Sequence, residues 1–400
     1  MAFDFATPVE RRAPEGNYAS QKWHRYAQDV LPLWVADMDF HSPPAVIDAL
    51  QRRVAHGVYG YGEVPATLTA ALCQWSAHHY AWTIEPEWQQ WLPGVVPALH
   101  FAAMALTQPG EGVLTIAPIY PPFLAVAERT GRLAQQAMLA EPAAPGEPWQ
   151  LDIAALEAAI TPQTRLLLWC HPHNPTGRVW TSRELEQLAA MVERHDLWVV
   201  SDELHCDLLL EEGASHQPLA AMFPELAKRT ITLWAPSKTF NLAGLTSACA
   251  VIPDATLRQR FAAATKGFLP RQRFAAATKG FLPDGNVLGL VAAEAAYRDG
   301  EPWRQELLEV LRGHRKLLEA RVAMWPGVSL SAPESTYLAW LDMREAGLGE
   351  SPAKTLLEQA GVALSDGAAF GCPGFVRLNF GTTASQLEAA LSRMDTLLKA

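Results

Sequence analysis

The stretch RLLLWCHPHNPTGRVWTSRELEQLAAMVERHDLWVVSDELH, residues 165–205, decides the fold. It opens on the apolar run RLLLWC (165–170) and closes on another, LWVVS (197–201). Between them TSRELEQLAAMVERHD carries a capping-box pattern at Thr181 and Glu184, and Leu185, Leu188, Ala189 and Val192 share one helical face. Continuous apolar strands joined through an amphipathic helix belong to a parallel sheet covered on both faces.

Outward from this unit the pattern repeats. VLTIAP (113–118) and TITLWAPS (230–237) are apolar runs of the same kind, with helical patterns between them. The expected fold class is therefore α/β, with a large domain built on a mostly parallel central sheet covered by helices. After about residue 286 the texture changes. A helix-rich stretch, 287–324, leads to short strands in STYLAWLDM and GFVRLNFG and then to a terminal helix. This reads as a smaller C-terminal α/β domain over 286–400, beside a large domain over 46–285. Residues 1–45 are irregular and Pro-rich, an arm expected to pack on the body or on a partner subunit and counted with the small domain.

Composition narrows the function. The chain has 400 residues, 49% hydrophobic and 18% charged, with a formal net charge of −10. That balance, without clustered Lys and Arg, argues against nucleic acid as a partner. No apolar run approaches the length needed to cross a bilayer, and the charged N-terminus does not read as a secretory signal. Five scattered cysteines without a CxxC pair favour neither a disulfide framework nor a zinc ribbon. A cytoplasmic location is expected.

Four polar segments stand in order at strand ends: HPHNPTG (171–177), SDELH (201–205), APSKTFN (235–241) and VRLNFG (376–381). In open α/β sheets, ligands bind outside the carboxyl ends of the strands. A lysine in an apolar neighbourhood loses its proton readily and forms Schiff bases. A carboxylate can hold a cationic ring nitrogen, an Asn can bond a phenolate oxygen, and an Arg can grip a carboxylate with two parallel hydrogen bonds. That set fits pyridoxal 5'-phosphate and an amino-acid substrate.

With these residues in view the chain resembles the fold-type-I pyridoxal-phosphate enzymes of the class I/II aminotransferase group, which are aspartate-aminotransferase-like in fold. More narrowly it resembles their cystathionine β-lyase-like C–S lyases, through LPLWVADMDF (31–40), GVYGYGEV (57–64), LPGVVPAL (92–99), the HNPTGRVW run and STYLAWLD (335–342). The resemblance implies that Lys238 carries the cofactor as a Schiff base and moves the Cα proton. It implies that Asp202 pairs with the pyridinium nitrogen, that Asn174 bonds the ring oxygen, and that Tyr120 stacks on the ring. The N–H groups of Val95 and Val96 and the hydroxyl of Ser237 would meet the phosphate. Tyr61 would reach the phosphate of the neighbouring subunit, which implies a homodimer with shared sites. Arg377, with Asn174, would bind the substrate carboxylate, and His205 would support Asp202. The implied reaction cleaves cystathionine or a related cysteine S-conjugate to a thiol, pyruvate and ammonia. Transamination uses the same residues, so the motifs specify the cofactor more closely than the reaction.

Other readings are weaker. His171, His173 and His205 with Asp202 do not make a metal cage, so no metal is expected. Cys206 reads as a buried, inert thiol. Asp37 and Asp39 read as residues that order the arm near the substrate entrance. An α/β-hydrolase would need a GxSxG elbow, which is absent. A binding protein that keeps the fold without turnover would have lost a catalytic group, and none is missing.

One feature stands outside the family pattern. RQRFAAATKGFLP occurs twice in tandem, at 258–270 and 271–283, without a change. Asp254 is placed to cap the helix that enters the first copy. A single helix through both copies would hold Gly267 and Pro270 inside it, at a cost of roughly 4 kcal/mol. A break near 267–270 is expected. The duplication is either a loop extruded into solvent or a remodelled substrate entrance.

Overall fold

A computed structural model describes residues 3–12, 20–265, 286–331 and 333–399. The break expected near 267–270 and the second repeat copy lie outside the described residues. The strands, in chain order, are β1 (Leu31–Pro32), β2 (Gln89–Leu92), β3 (Gly112–Ala117), β4 (Leu133–Met138), β5 (Thr164–Cys170), β6 (Trp198–Asp202) and β7 (Thr230–Trp234). They continue with β8 (Ala248–Val251), β9 (Ser329–Ser331), β10 (Leu338–Asp342), β11 (Val362–Ala363), β12 (Ser365–Asp366) and β13 (Phe375–Asn379).

Seven of these form one sheet in the order β2-β8-β7-β6-β5-β3-β4. Strands β3 to β7 pair in parallel, and β8 runs antiparallel to both its neighbours. Strands β3, β7 and β8 are buried throughout, as strands covered on both faces must be. The exception is β4, LAQQAM, which lies at the sheet edge with most of its residues exposed or half-buried. One apolar cluster fills the face under the helix Val95–Leu106, with Val113, Leu166, Val200 and Ile231. Another fills the opposite face, where Leu185, Leu188 and Val192 of the helix Ser182–Arg194 meet Leu167 and Val199. That helix starts with the full capping box between Thr181 and Glu184. The box satisfies two otherwise orphaned N–H groups, and losing the cap costs typically about 1 kcal/mol.

The run 230–237 does not stay extended to its end. Strand β7 stops at Trp234, and Pro236–Thr239 forms a single helical turn. Proline has no N–H for a ladder, and its fixed φ suits the first helical position. Ser237 and Lys238 therefore ride on that turn.

The C-terminal stretch builds a second sheet, β12-β13-β10-β9, antiparallel throughout. The long helix Glu301–Val322 packs beside it, following Val287–Asp299 after a junction at Gly300. Two elements tie the N-terminal segment to this body. Strand β1 pairs in parallel with β11, and Phe5 packs against Phe40 and Trp303. The segment is also clasped by ions. The fully buried Lys22 ammonium meets Asp39 at 2.7 Å, and Arg11 reaches both Asp37 and Asp39.

Candidate active site

A cavity of about 260 Å³ lies beyond the carboxyl ends of β5, β6 and β7. Asn174 follows β5, Asp202 ends β6, and Ser237 and Lys238 follow β7, so sheet register alone brings them to one rim. Arg377 reaches the same cavity from β13 of the second sheet. Its Nη1 donates to Asn174 Oδ1 at 3.0 Å and its Nη2 to the Trp34 carbonyl at 3.0 Å. The guanidinium lies 4.8 Å from the centre of the Phe370 ring. Tyr120, whose N–H donates to the Asn174 carbonyl, lines the wall as the helix Pro121–Arg129 begins.

The floor is the start of the helix Val95–Leu106. Gly94 offers no capping side chain, and no acidic residue occupies the first turn. Pro97 has no N–H, so Val95 and Val96 supply the free amide donors there, where the helix dipole favours an anion. Ser237 lines the same cavity.

Burial sets the charges. The Lys238 amine is pulled down to about 8 by burial, opposed by Asp37 and reinforced by Arg377. At pH 7 that raises its neutral fraction from roughly 0.03% to roughly a tenth. Burial pushes Asp202 up to about 7, offset in part by the Leu204 N–H, which donates to Oδ1 at 3.1 Å. Burial also lowers His205 to about 3, with the charges of Lys238 and Arg377 acting in the same direction, so the ring is neutral. Burial lowers Arg377 to about 10, which leaves it charged at neutral pH.

His205 lines the cavity, but no hydrogen bond joins it to Asp202 among the described residues, and its Nδ1 is buried without a partner. Tyr61 lies outside this cavity and is fully exposed, in a run with exposed Val54, Val58, Tyr59 and Val64. The described residues contain no group of three or more His, Cys, Asp or Glu able to hold a metal ion. His171 and His173 are buried, and the His173 ring bonds Thr176. Cys206 is buried, and burial drives its thiol well above the usual range.

Sequence reasoning put the strip at 35–40 near the substrate entrance but missed the residues that hold it over the site. Residues 35–40 cross over Lys238, whose Nζ donates to the Ala36 carbonyl at 2.6 Å. Tyr337 donates to the same carbonyl at 3.0 Å. Asn241 exchanges three hydrogen bonds with Met38 and Phe40, and Asn379 donates to the Val35 and Asp37 carbonyls. All three residues sit in segments already notable in the sequence, APSKTFN, VRLNFG and STYLAWLD. An amide that serves main-chain carbonyls two hundred residues away leaves no local pattern.

The family described as aminotransferase class I and II matches residues 28–394. The chain belongs to that family. It is 35% identical over 390 residues to the cystathionine beta-lyase PatB of Bacillus subtilis strain 168, covering 95% of this chain and 96% of that protein. The crystal structure of OvoB aligns with this class I and II chain at a TM-score of 0.91 and 40% identity, covering 99% of each. Cystalysin from Treponema denticola, whose crystal structure contains a pyridoxal 5'-phosphate cofactor, aligns at 0.90 and 30% identity, covering 100% of this chain and 99% of that one. The fold of this family member is fold type I.

Proposed function

We infer that this chain is a pyridoxal-phosphate-dependent C–S β-lyase. Its substrate is cystathionine or a related cysteine S-conjugate, and its products are a thiol, pyruvate and ammonia. The observation that carries this reading is the convergence on one cavity of a half-buried lysine titrating near 8, a buried carboxylate, a buried arginine and an uncapped helix start. Full-length similarity to a cystathionine beta-lyase supports the lyase over the aminotransferase alternative.

The residues present fit the cofactor. Arg377 Nε and His205 Nδ1 are buried without partners, and the amides of Val95 and Val96 face open space suited to an anion. When bound, pyridoxal phosphate would supply an electron sink for the charge that develops at the substrate Cα. Val95, Val96 and Ser237 would hold its phosphate, Tyr120 would cover the ring and Asn174 would bond the ring oxygen. A cationic ring nitrogen within hydrogen-bond reach of Asp202 would draw its pKa back down, so the carboxylate serves as the anionic partner.

Arg377 grips the substrate α-carboxylate through the planar fork that matches it, with Phe370 and Asn174 fixing the guanidinium plane. Lys238 Nζ, neutral in useful proportion, accepts the Cα proton. The carbanion charge then leaves through the Cβ–S bond, and the sulfur departs as a thiol on gaining a proton. Water completes the products, pyruvate and ammonia.

The exposed apolar run at 54–64 supports a homodimer in which Tyr61 reaches the partner's phosphate site. The arm over 1–45, the large domain over 46–285 and the small domain over 286–400 are the units of this reading, with Arg377 contributed across the seam. No helix among the described residues is long and apolar enough to cross a membrane, and a cytoplasmic location accords with the reading.

The test is pyruvate release from L-cystathionine by purified protein supplied with pyridoxal phosphate. Pyruvate and thiol formed in equal amounts support the lyase. A protein that holds the cofactor on Lys238, releases no pyruvate and transfers the amino group to a 2-oxo acid is an aminotransferase instead.

A further inference from the structure

Lys238 stands on a helix only four residues long, Pro236–Thr239, with no side-chain cap. One turn of helix cannot hold its own geometry, because nucleation fixes several dihedrals for a single hydrogen bond. Something else must aim the Lys238 side chain. The neighbouring residue, Thr239, is fully buried, and its hydroxyl donates to Asp207 Oδ2 at 2.8 Å. Asp207 lies five residues beyond Asp202, on the turn that also carries His205.

Asp207 is itself held from every side. Its Oδ1 accepts from Trp75 Nε1 at 2.9 Å and from the Tyr80 hydroxyl, and its carbonyl accepts from Arg304 Nη1 at 2.7 Å. Trp75 and Tyr80 belong to the helix Ala66–Tyr80, and Arg304 to Glu301–Val322. A buried carboxylate that accepts from three side chains is a rigid anchor, and moving it would leave those donors unpaired. The anchor touches nothing in the cavity. It links the strand end bearing Asp202 to the turn bearing Lys238.

We propose that Asp207, acting through Thr239, is a positioning residue that sets the aim of the Lys238 amine relative to Asp202. The inference rests on the lysine role given under the proposed function. Displacing a reacting group by about 1 Å costs on the order of a hundredfold in rate, so the loss of one tether of the turn is expected to show in kcat.

The experiment compares Thr239→Val and Thr239→Ser in the cofactor-loaded full chain. Valine keeps the shape and removes the hydroxyl, and serine keeps the hydroxyl. Two quantities are read: kcat and KM for pyruvate release, and the pH titration of the visible absorbance of the cofactor joined to Lys238. The titration does not depend on which reaction is catalysed, so it judges the tether even if the lyase reading fails. For Thr239→Val, kcat should fall about tenfold or more with KM little changed. Its titration midpoint should move by about half a unit or more, and Thr239→Ser should restore both. Tyr80→Phe is the control. It takes a donor from the other carboxylate oxygen, so it should lower Tm while leaving kcat and the titration midpoint close to the parent's. Should the valine variant fail to fold, Thr239→Ala gives the same two readings. The proposal is overturned if the hydroxyl-free variant has the parent's kcat and midpoint, if serine rescues neither, or if Tyr80→Phe moves them as much as valine does.

Discussion

Asp202 and Glu203 are adjacent carboxylates at the end of one strand, and they lead opposite lives. Successive side chains of a strand point to opposite faces. Asp202 faces the cavity, where the Leu204 N–H is its one hydrogen-bond donor among the described residues, and burial lifts it to about 7. Glu203 turns into the core behind the sheet. There Ser201, His216, the Leu219 N–H and Trp234 fill both its oxygens. A buried carboxylate saturated by its own fold holds structure together. One left short of partners is waiting for a partner the chain does not contain. The contrast locates the ligand side of the sheet without reference to any relative.

Substitutions on the two sides should separate cleanly. The largest effect belongs to Lys238→Ala. Turnover should fall by about a thousandfold or more, since the group that moves the proton is gone, and the visible absorbance of lysine-linked cofactor should vanish. If the variant kept most of its pyruvate release, the cavity side would not be the catalytic side. Asp202→Asn comes next, with kcat down on the order of a hundredfold and little loss of fold. A full-rate variant would show that no cationic partner depends on this carboxylate.

The same residue makes a signed prediction about pH in the cofactor-free protein. Its folded pKa, about 7, lies above the unfolded value of 3.8. The folded state therefore binds the extra proton. That contribution to stability is whole below about pH 4 and is lost as pH rises through about 7. Thermal melts at pH 5 and pH 8 should differ less for Asp202→Asn than for the parent, and equal differences would contradict the assignment.

Glu203→Gln sharpens the other side. Its amide puts a donor where His216 and Trp234 also point donors, at a cost of about 1–3 kcal/mol. Tm should drop while kcat per folded molecule stays near the parent's. A selective loss of kcat would blur the division. The smallest effect belongs to Thr181→Ala, which removes the capping box at about 1 kcal/mol. A small shift in Tm with unchanged kcat and KM is expected.

Particular elements show what local pattern conveyed. The unit 165–205 was legible because strand and helix periodicity, the capping box and the polar strand ends all agreed. Strand β4, LAQQAM, escaped notice because an edge strand is half-polar and carries no apolar run. Strands β2 and β8 escaped because four residues are too few to set a period. Among site residues, the motif members stood out by chemistry at strand ends. Asn241, Asn379 and Tyr337 did not, because their partners are main-chain carbonyls of the strip 35–40. Thr239 and Asp207 lie in quoted or adjacent segments, but their bond crosses thirty-two residues and depends on two different turns.

The sequence by itself determined the α/β architecture, the order of the polar segments and the landing on one rim of the three that follow β5, β6 and β7. Hydrophobic period selects the element, and a parallel sheet places consecutive strand ends side by side. Tertiary structure alone decided which buried groups are satisfied and which are not. It seated Arg377 from a second sheet beside Asn174, drew residues 35–40 over Lys238, and turned Asp202 toward the cavity and Glu203 toward the core. Those outcomes depend on burial and on hydrogen bonds between distant segments, and these exist only once the chain has folded.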